Sequence, residues 1–155
     1  MRVLITGGAG YIGSNGAFAF LDKGHKVTIV DNLKNGSKKL IPKKSKFIKS
    51  DIGDIKKIEK LIKNKKFDIV IHYAALTSVP ESFKYPKKYY ENNYKKSKKF
   101  LKTCLKYGLN KIVYSSSAGV YGDSKNYKIK ENRPLKPKNP YAKSKLKFEK
   151  YLKKM

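Results

Sequence analysis

Three glycines at intervals of three, Gly7, Gly10 and Gly13, stand near the start of the chain, and the run Tyr141-Ala142-Lys143-Ser144-Lys145 stands near its end, behind a serine cluster, Ser115-Ser116-Ser117. The glycine spacing suits a dinucleotide pyrophosphate. The first glycine permits a tight turn, the second lets backbone approach the phosphates, and the third packs a helix against a strand. The helix N-terminus adds unpaired N–H groups and a positive dipole end. Tyr141 and Lys145 share one helix face, so an ammonium lies one turn from a phenol. At about 4 Å and an effective dielectric near 20, the attraction between that cation and a phenolate is roughly 4 kcal/mol before desolvation. A phenol assisted in this way can take the proton of an alcohol. Together the two motifs point to nicotinamide-dependent redox chemistry at a carbinol carbon.

These residues need a scaffold, and the chain alternates strand and helix. Strands are predicted at Arg2–Thr6, Lys26–Val30 (ending at Asp31), Lys46–Lys49, Asp68–Tyr73 and Lys111–Ser115. Helices are predicted from Ile12 to Lys23 with Gly24 as cap, and from Ile55 to Lys65 with Ile55, Ile58, Leu61 and Ile62 at helical spacing. A single long helix is predicted from Pro86 to Tyr107, capped by Gly108. A last one runs from Pro140 onward, with Asn139 as N-cap and proline in the first helical position. Near-continuous apolar strands alternating with helices imply a parallel sheet covered on both faces. Right-handed crossovers make it an α/β, doubly wound Rossmann sheet. At 155 residues the chain is expected to be one domain, an NAD-binding Rossmann domain over 1–155.

The charge is lopsided, with 38 Lys+Arg against 11 Asp+Glu and a formal net charge of +27. Nearly all of the excess is lysine; Arg2 and Arg133 are the only arginines. The lysines are spread over every polar stretch instead of gathering in one basic tail, and base readers favour arginine. Solvated lysine faces are therefore the preferred reading, with a basic polyanion-binding module on a Rossmann scaffold as the alternative; no specific nucleic-acid partner is expected. One cysteine, Cys104, excludes an internal disulfide, and its apolar-periodic surroundings suggest a buried helix position. No apolar run is long enough to span a bilayer, and the N-terminus carries no leader pattern. A cytoplasmic protein without membrane partners is the expectation. His25 and His72 lack metal-ligand spacing and Cys104 has no partner, so no metal is expected.

Asp31, at the end of the second strand, strengthens the dinucleotide reading. Its carboxylate can accept from both ribose hydroxyls of NAD and would repel a 2′-phosphate. The lysines behind it (Lys34, Lys38, Lys39) leave NADP open. Tyr-x-x-x-Lys alone is cheap in so lysine-rich a chain. Its position after the serine strand and Asn139-Pro140 gives it weight.

With these residues in place, the chain resembles the extended short-chain dehydrogenases/reductases. Within them it is similar to the UDP-glucose 4-epimerase family. The resemblance is carried by Gly7-Gly8-Ala9-Gly10-Tyr11-Ile12-Gly13-Ser14, Val30-Asp31-Asn32-Leu33, Val70-Ile71-His72-Tyr73-Ala74-Ala75, Tyr89-Tyr90-Glu91-Asn92-Asn93, Ser115 to Gly122, and Asn139 to Lys145. It implies NAD as cofactor and a UDP-sugar as substrate, with a homodimer for the full-length enzyme. It also implies roles. Gly7, Gly10, Tyr11, Ile12 and Gly13 would line the pyrophosphate, and Asp31 and Asn32 would hold the adenosine ribose. Asp51 and Ile52 would meet the adenine edge, although Asp51 also reads as a plain turn residue. Tyr73, Ala74, Ala75 and Thr77 would pass beside the cofactor phosphates and ribose, with Asn92 nearby. Ser117 and Tyr141 would face the sugar 4-hydroxyl, and Lys145 the nicotinamide ribose. For Ser115 and Ser116, strand-end hydrogen bonding is an equal reading.

Related dehydratases and decarboxylases carry an acidic residue after the catalytic serine or threonine. Here Ala118 and Gly119 stand there, which favours epimerisation. Thr77 replaces a lysine common in well-known epimerases. The chain ends at Met155 inside the Tyr141 helix, whereas the family continues into a sugar-binding region. The expectation is thus the N-terminal half of an epimerase that by itself binds NAD weakly, exposes an apolar sheet edge and aggregates. A catalytically inactive NAD-binding fragment is the alternative.

Overall fold

Val3, Leu4 and Ile5 are completely buried, and that burial explains why the first strand reads as an apolar run. The computed structural model describes residues 1–64, 66–123 and 128–155. Within them the chain divides into two compact units, one of Met1–Ala75 with Lys99–Ser115, the other of Leu76–Lys98 with Ser116–Met155.

The first unit is built on five parallel strands, β1 (Arg2–Thr6), β2 (Lys26–Asp31), β3 (Lys46–Lys49), β4 (Ile69–His72) and β5 (Ile112–Tyr114), in the order β3-β2-β1-β4-β5. β1 sits at the centre, with Leu4 opposite Thr28 on one side and Val70 on the other. Alternation along the strands sorts side chains onto two faces. Leu4, Val30 and Val70 meet Ile58, Leu61 and Ile62 of α2 (Ile55–Asn64) and Phe100 and Cys104 of α5 (Ser97–Lys106). Val3, Ile5, Val27, Ile29 and Ile71 meet Ala17, Phe20 and Leu21 of α1 (Tyr11–Asp22). The sheet is therefore covered on both sides, the doubly wound Rossmann arrangement expected from the alternation.

Helices α1 and α5 of this unit end on glycine. Gly24 N–H bonds Leu21 O at 2.9 Å and His25 N–H bonds Phe20 O at 3.0 Å. After α5, Gly108 takes a φ of +74°, Leu109 N–H reaches back to Cys104 O at 3.0 Å, and both side chains enter the same core. A left-handed glycine with that reach-back bond satisfies carbonyls the helix leaves over. β5 pairs with β4 alone among the described residues, and its Val113 is 51% exposed, so an apolar residue does stand on an edge strand.

The second unit holds α3 (Val79–Lys84), α4 (Pro86–Tyr90), a π-helical turn (Glu91–Lys96) leading into α5, a 3-10 turn (Ala118–Tyr121) and α6 (Pro140–Leu152). The single helix expected over Pro86–Tyr107 is thus two helices with a π-turn between them. A π-turn adds a residue per turn. Asn93 lies in it, fully buried, with its amide spent on other segments. Helical periodicity cannot distinguish the two arrangements, because the apolar positions on either side keep a helical spacing. α3 was not expected, although Ser78 and Glu81 carry the spacing of a helix start: Ser78 Oγ accepts Glu81 N–H at 3.3 Å. Observed element ends differ from the expected ones by a residue or so, and Lys65 lies outside the described residues.

Candidate active site

In the first unit, the expected cofactor residues follow the carboxyl ends of β1, β2, β3 and β4. Gly7 has a φ of +74°, and a Cβ there would stand 2.6 Å from Ala74 N. The turn is thereby pressed against the strand end that carries Tyr73, Ala74 and Ala75. A Cβ on Gly13 would lie 2.2 Å from Gly7 O, so α1 can approach the turn this closely only with glycine there. At Gly10, beyond its chain neighbours, only Gly7 O lies within 4 Å of where a Cβ would stand, at 3.4 Å. Gly10 is the N-cap of α1 and offers no side-chain cap, while Tyr11 and Ile12 are exposed. The first N–H groups of a helix have no intrahelical acceptor. A bare, accessible helix start behind a tight glycine turn is a cradle of the shape and charge a pyrophosphate needs.

Asp31 is joined to this cradle. Its Oδ2 accepts Ala9 N–H at 3.0 Å and its Oδ1 accepts Leu33 N–H at 2.8 Å. A carboxylate offers about four acceptor positions, so these two bonds leave capacity on both oxygens. Leu33 holds a φ of 60°, the one left-handed non-glycine residue among those described, a conformation that costs of order 1–3 kcal/mol and tends to persist at functional sites. Asn32 Nδ2 donates to Asp51 Oδ2 at 3.0 Å, and Asp51 Oδ1 accepts Gly53 N–H at 2.8 Å. Asp31, Asn32 and Asp51 thus form one connected polar rim. The Ile52 side chain is buried in the core, which leaves its backbone for any ligand.

Sequence reasoning missed two supports of this region. Gly36 lies against Ala9, and Ser37 N–H bonds Ala9 O at 2.9 Å, so the Asn35-Gly36 loop folds back onto the glycine turn. Thr6 Oγ1 and His72 Nδ1 are 2.6 Å apart and buried, and Ala74 N–H reaches Thr6 Oγ1 at 3.4 Å. His72 therefore joins β4 to β1 beside the turn.

The second unit carries Thr77, Asn92, Ser117, Tyr141 and Lys145. Asn139 caps α6, its Oδ1 accepting Ala142 N–H at 2.8 Å, with Pro140 next. Tyr141 and Lys145 follow one turn apart. Lys145 is 2% exposed, and burial pulls its ammonium down to about 8, opposed by Glu149 on the same helix. Ser117 caps the 3-10 turn, Oγ accepting Gly119 N–H at 3.1 Å, which leaves its own proton to donate. A Cβ on Gly119 would meet Ser117 Oγ at 3.3 Å and the Ala142 Cβ at 3.4 Å, so the serine turn packs onto the first turn of α6. Ser115 N–H continues the sheet by bonding His72 O at 3.1 Å, in the first unit.

Asn93, beside the expected Asn92, is the hub of this unit. Its Oδ1 accepts Leu76 N–H at 2.8 Å, and its Nδ2 donates to Leu76 O at 2.9 Å and to Ser144 Oγ at 3.1 Å. Ser144 Oγ in turn donates to Tyr141 O at 2.6 Å. The segment before Thr77 is thereby fastened to the turn of α6 between Tyr141 and Lys145. Tyr89 of α4 lies against Tyr141 with ring centroids 6.5 Å apart and planes at 88°, an edge-to-face geometry that contributes about 0.5–1.5 kcal/mol beyond area burial.

Among the described residues no group of three His, Cys, Asp or Glu is placed to hold a metal ion, and no helix is long and apolar enough to cross a membrane.

Known proteins share this sequence and this fold. The UDP-glucose 4-epimerase of Lactobacillus helveticus is 40% identical over 152 residues, 98% of this chain and 46% of that protein. UDP-arabinose 4-epimerase 1 of Arabidopsis thaliana is 40% identical over 153 residues, 93% of this chain and 36% of that protein. The structure of the UDP-Glc/GlcNAc 4-epimerase from Campylobacter jejuni superposes with a TM-score of 0.93 at 40% identity, over 99% of this chain and 48% of that one. That of the Bifidobacterium longum UDP-glucose 4-epimerase, in complex with NAD+ and UDP, gives 0.93 at 37% identity, over 99% and 48%. The chain spans about half the length, or less, of these relatives. Residues 3–155 match the NAD dependent epimerase/dehydratase family, and the chain belongs to that family.

Proposed function

We propose that this chain is the NAD-binding Rossmann part of an enzyme that interconverts UDP-hexoses, UDP-glucose and UDP-galactose, at C4. The observation that carries the reading lies on α6. Tyr141 stands one turn from the buried Lys145, and the Ser117 turn packs onto the same helix through Gly119 and Ala142. The cradle in the first unit fits the dinucleotide, because a Cβ at Gly7 or Gly13 would strike backbone and the start of α1 is uncapped and accessible. Gly7, Gly10, Tyr11, Ile12 and Gly13 would hold the pyrophosphate. Asp31 and Asn32 would take the adenosine ribose, and Asp51 and the Ile52 backbone the adenine. Tyr73, Ala74, Ala75, Thr77 and Asn92 complete the cofactor set.

Bound NAD supplies reversible hydride acceptance at the sugar C4. The chain's own residues handle the proton and the oxygen. Tyr141 takes the proton of the 4-hydroxyl as the C4 hydride leaves, and returns it when hydride comes back to the opposite face of the 4-keto sugar. Ser117 donates a hydrogen bond to the C4 oxygen throughout. Lys145 supplies positive charge beside the phenol and a contact for the nicotinamide ribose. Ala118 and Gly119 offer no acid to a leaving group, so water elimination is disfavoured. Relatives named for UDP-arabinose and for UDP-Glc/GlcNAc keep the sugar class wider than hexoses without an N-acetyl group. A homodimer in the cytoplasm serving galactose metabolism completes the reading.

The test is conversion of UDP-glucose to UDP-galactose by the whole protein, followed by the Tyr141→Phe variant. Loss of turnover with NAD retained is the expected result; undiminished turnover would remove Tyr141 from the mechanism.

A further inference from the structure

We propose that Tyr89 is a positioning residue for Tyr141, tethered by Glu81 and Lys88, so that a buried tyrosine outside the reaction aims the ring that moves the proton. The proposal rests on the reading of Tyr141 as the base. α3, α4 and α6 pack together in the second unit, and Tyr89 on α4 is wholly buried between them. Its ring stands at 88° to that of Tyr141, with centroids 6.5 Å apart. The Tyr89 hydroxyl donates to Glu81 Oε2 at 2.7 Å. The other oxygen of the same carboxylate, Oε1, takes the Lys88 ammonium at 2.6 Å. Glu81 is itself fixed at the start of α3, where its N–H meets Ser78 Oγ.

The carboxylate therefore divides its two oxygens between an exposed ammonium and a buried phenol. Swinging or sliding the Tyr89 ring would break its bond to Glu81 inside the fold, where an unmade hydrogen bond is expensive. Burial, with the Glu81 bond behind it, pushes the Tyr89 phenol up to about 12, so Tyr89 keeps its proton and stays a donor to Glu81. It neither competes with Tyr141 for a substrate proton nor loses its tether across the working pH range. Tyr141, at the half-buried first turn of α6, has this fixed ring as one wall. A reacting group must be held within about 0.5 Å of its productive place, and a wall that cannot move supplies that constraint.

The experiment uses the whole protein and two readouts. In Tyr89→Leu, which removes the wall, kcat for UDP-glucose epimerisation is expected to fall about tenfold or more while KM stays within about twofold. Tyr89→Phe keeps the wall and cuts the tether, so a smaller fall is expected, matched by Glu81→Leu, which cuts the same tether from the other side. The Tyr141 ring resonances, assigned with Tyr141→Phe, are expected to shift in Tyr89→Leu and to broaden in Tyr89→Phe. Unchanged kcat and unchanged Tyr141 resonances in folded Tyr89→Leu overturn the proposal. Lost stability with untouched kcat in Tyr89→Phe overturns it too, leaving Tyr89 as a core residue only. If the unsubstituted protein converts no UDP-sugar, the reading of the reaction fails. The Tyr141 resonances then still decide whether Tyr89 sets that ring.

Discussion

The Asp31 carboxylate holds the glycine turn by accepting the Ala9 N–H at 3.0 Å, while its other oxygen holds the strained Leu33 by its N–H at 2.8 Å. One side chain thus shapes the turn and forms the rim next to it. Asp31→Ala is expected to weaken NAD binding more than loss of a ribose contact alone would. Since a hydrogen bond to a charged group contributes about 1.5–3 kcal/mol, a rise of about tenfold or more in Kd is expected by calorimetry. An unchanged Kd would detach Asp31 from the cofactor.

Gly13 and Gly10 separate folding from binding. Gly13→Ala would place a Cβ 2.2 Å from Gly7 O, backbone that cannot swing away. Overpacking of this kind costs about 1–3 kcal/mol, visible as an earlier urea midpoint. Gly10→Ala meets only Gly7 O at 3.4 Å. Its midpoint is expected to stay near that of the unsubstituted chain while NAD affinity falls. Equal midpoints for the two variants would contradict the assignment of their roles.

Removing Asn93 breaks bonds to three neighbours. Asn93→Leu strips Leu76 N–H and Leu76 O of their side-chain partner, takes the acceptor from Asn92 Nδ2, and leaves Ser144 Oγ with its bond to Tyr141 O alone. At about 1–3 kcal/mol for each buried group left unpaired, and with some rewetting, a loss of several kcal/mol is expected in denaturant unfolding. Asn92→Leu removes the 3.1 Å bond that the Asn92 amide donates to Asn93 and is expected to cost far less.

Lys145 gives a pH signature. Its folded value of about 8 lies below the ordinary lysine value of 10.5. Between those values the unfolded chain holds the proton more firmly, so stability rises with pH. Below about 8 both states are protonated and the burial cost is carried in full. From pH 7 to pH 9 the unsubstituted chain is expected to gain on Lys145→Met by about 1 kcal/mol. Cys104, pushed up to about 12 by burial, departs from an ordinary thiol value of 9 and acts with the opposite sign only above that pH. A flat difference across pH 7–9 would contradict the buried charge.

Cys104 is expected to resist a disulfide exchange reagent in the native state. It is completely buried and its thiol is held protonated, and only the thiolate attacks. Its modification rate should follow unfolding as denaturant is added. Rapid labelling of the native chain would contradict its place in the core.

Much of this was legible in local pattern. Apolar runs such as Val3-Leu4-Ile5 and Ile69-Val70-Ile71 mark buried parallel strands because no polar residue interrupts them, and Gly108 after an apolar helix face marks its end. Gly7 and Gly13 announce a tight strand-to-helix turn because a Cβ at either would strike backbone. The start of α3 was also written, in Ser78 and Glu81, but six residues are too few for periodicity to register. What waited on the folded chain were pairings between residues far apart in sequence. Nothing local says that Asp31 will hold Ala9, that Asn93 will join Leu76 to Ser144, or that the helix carrying it will widen into a π-turn there. Nor does anything local tie Tyr89 to Glu81 and set its ring on Tyr141. Those choices follow from burial. Once a polar group leaves water it must find a partner, and only the packing of separate segments decides which one is within reach.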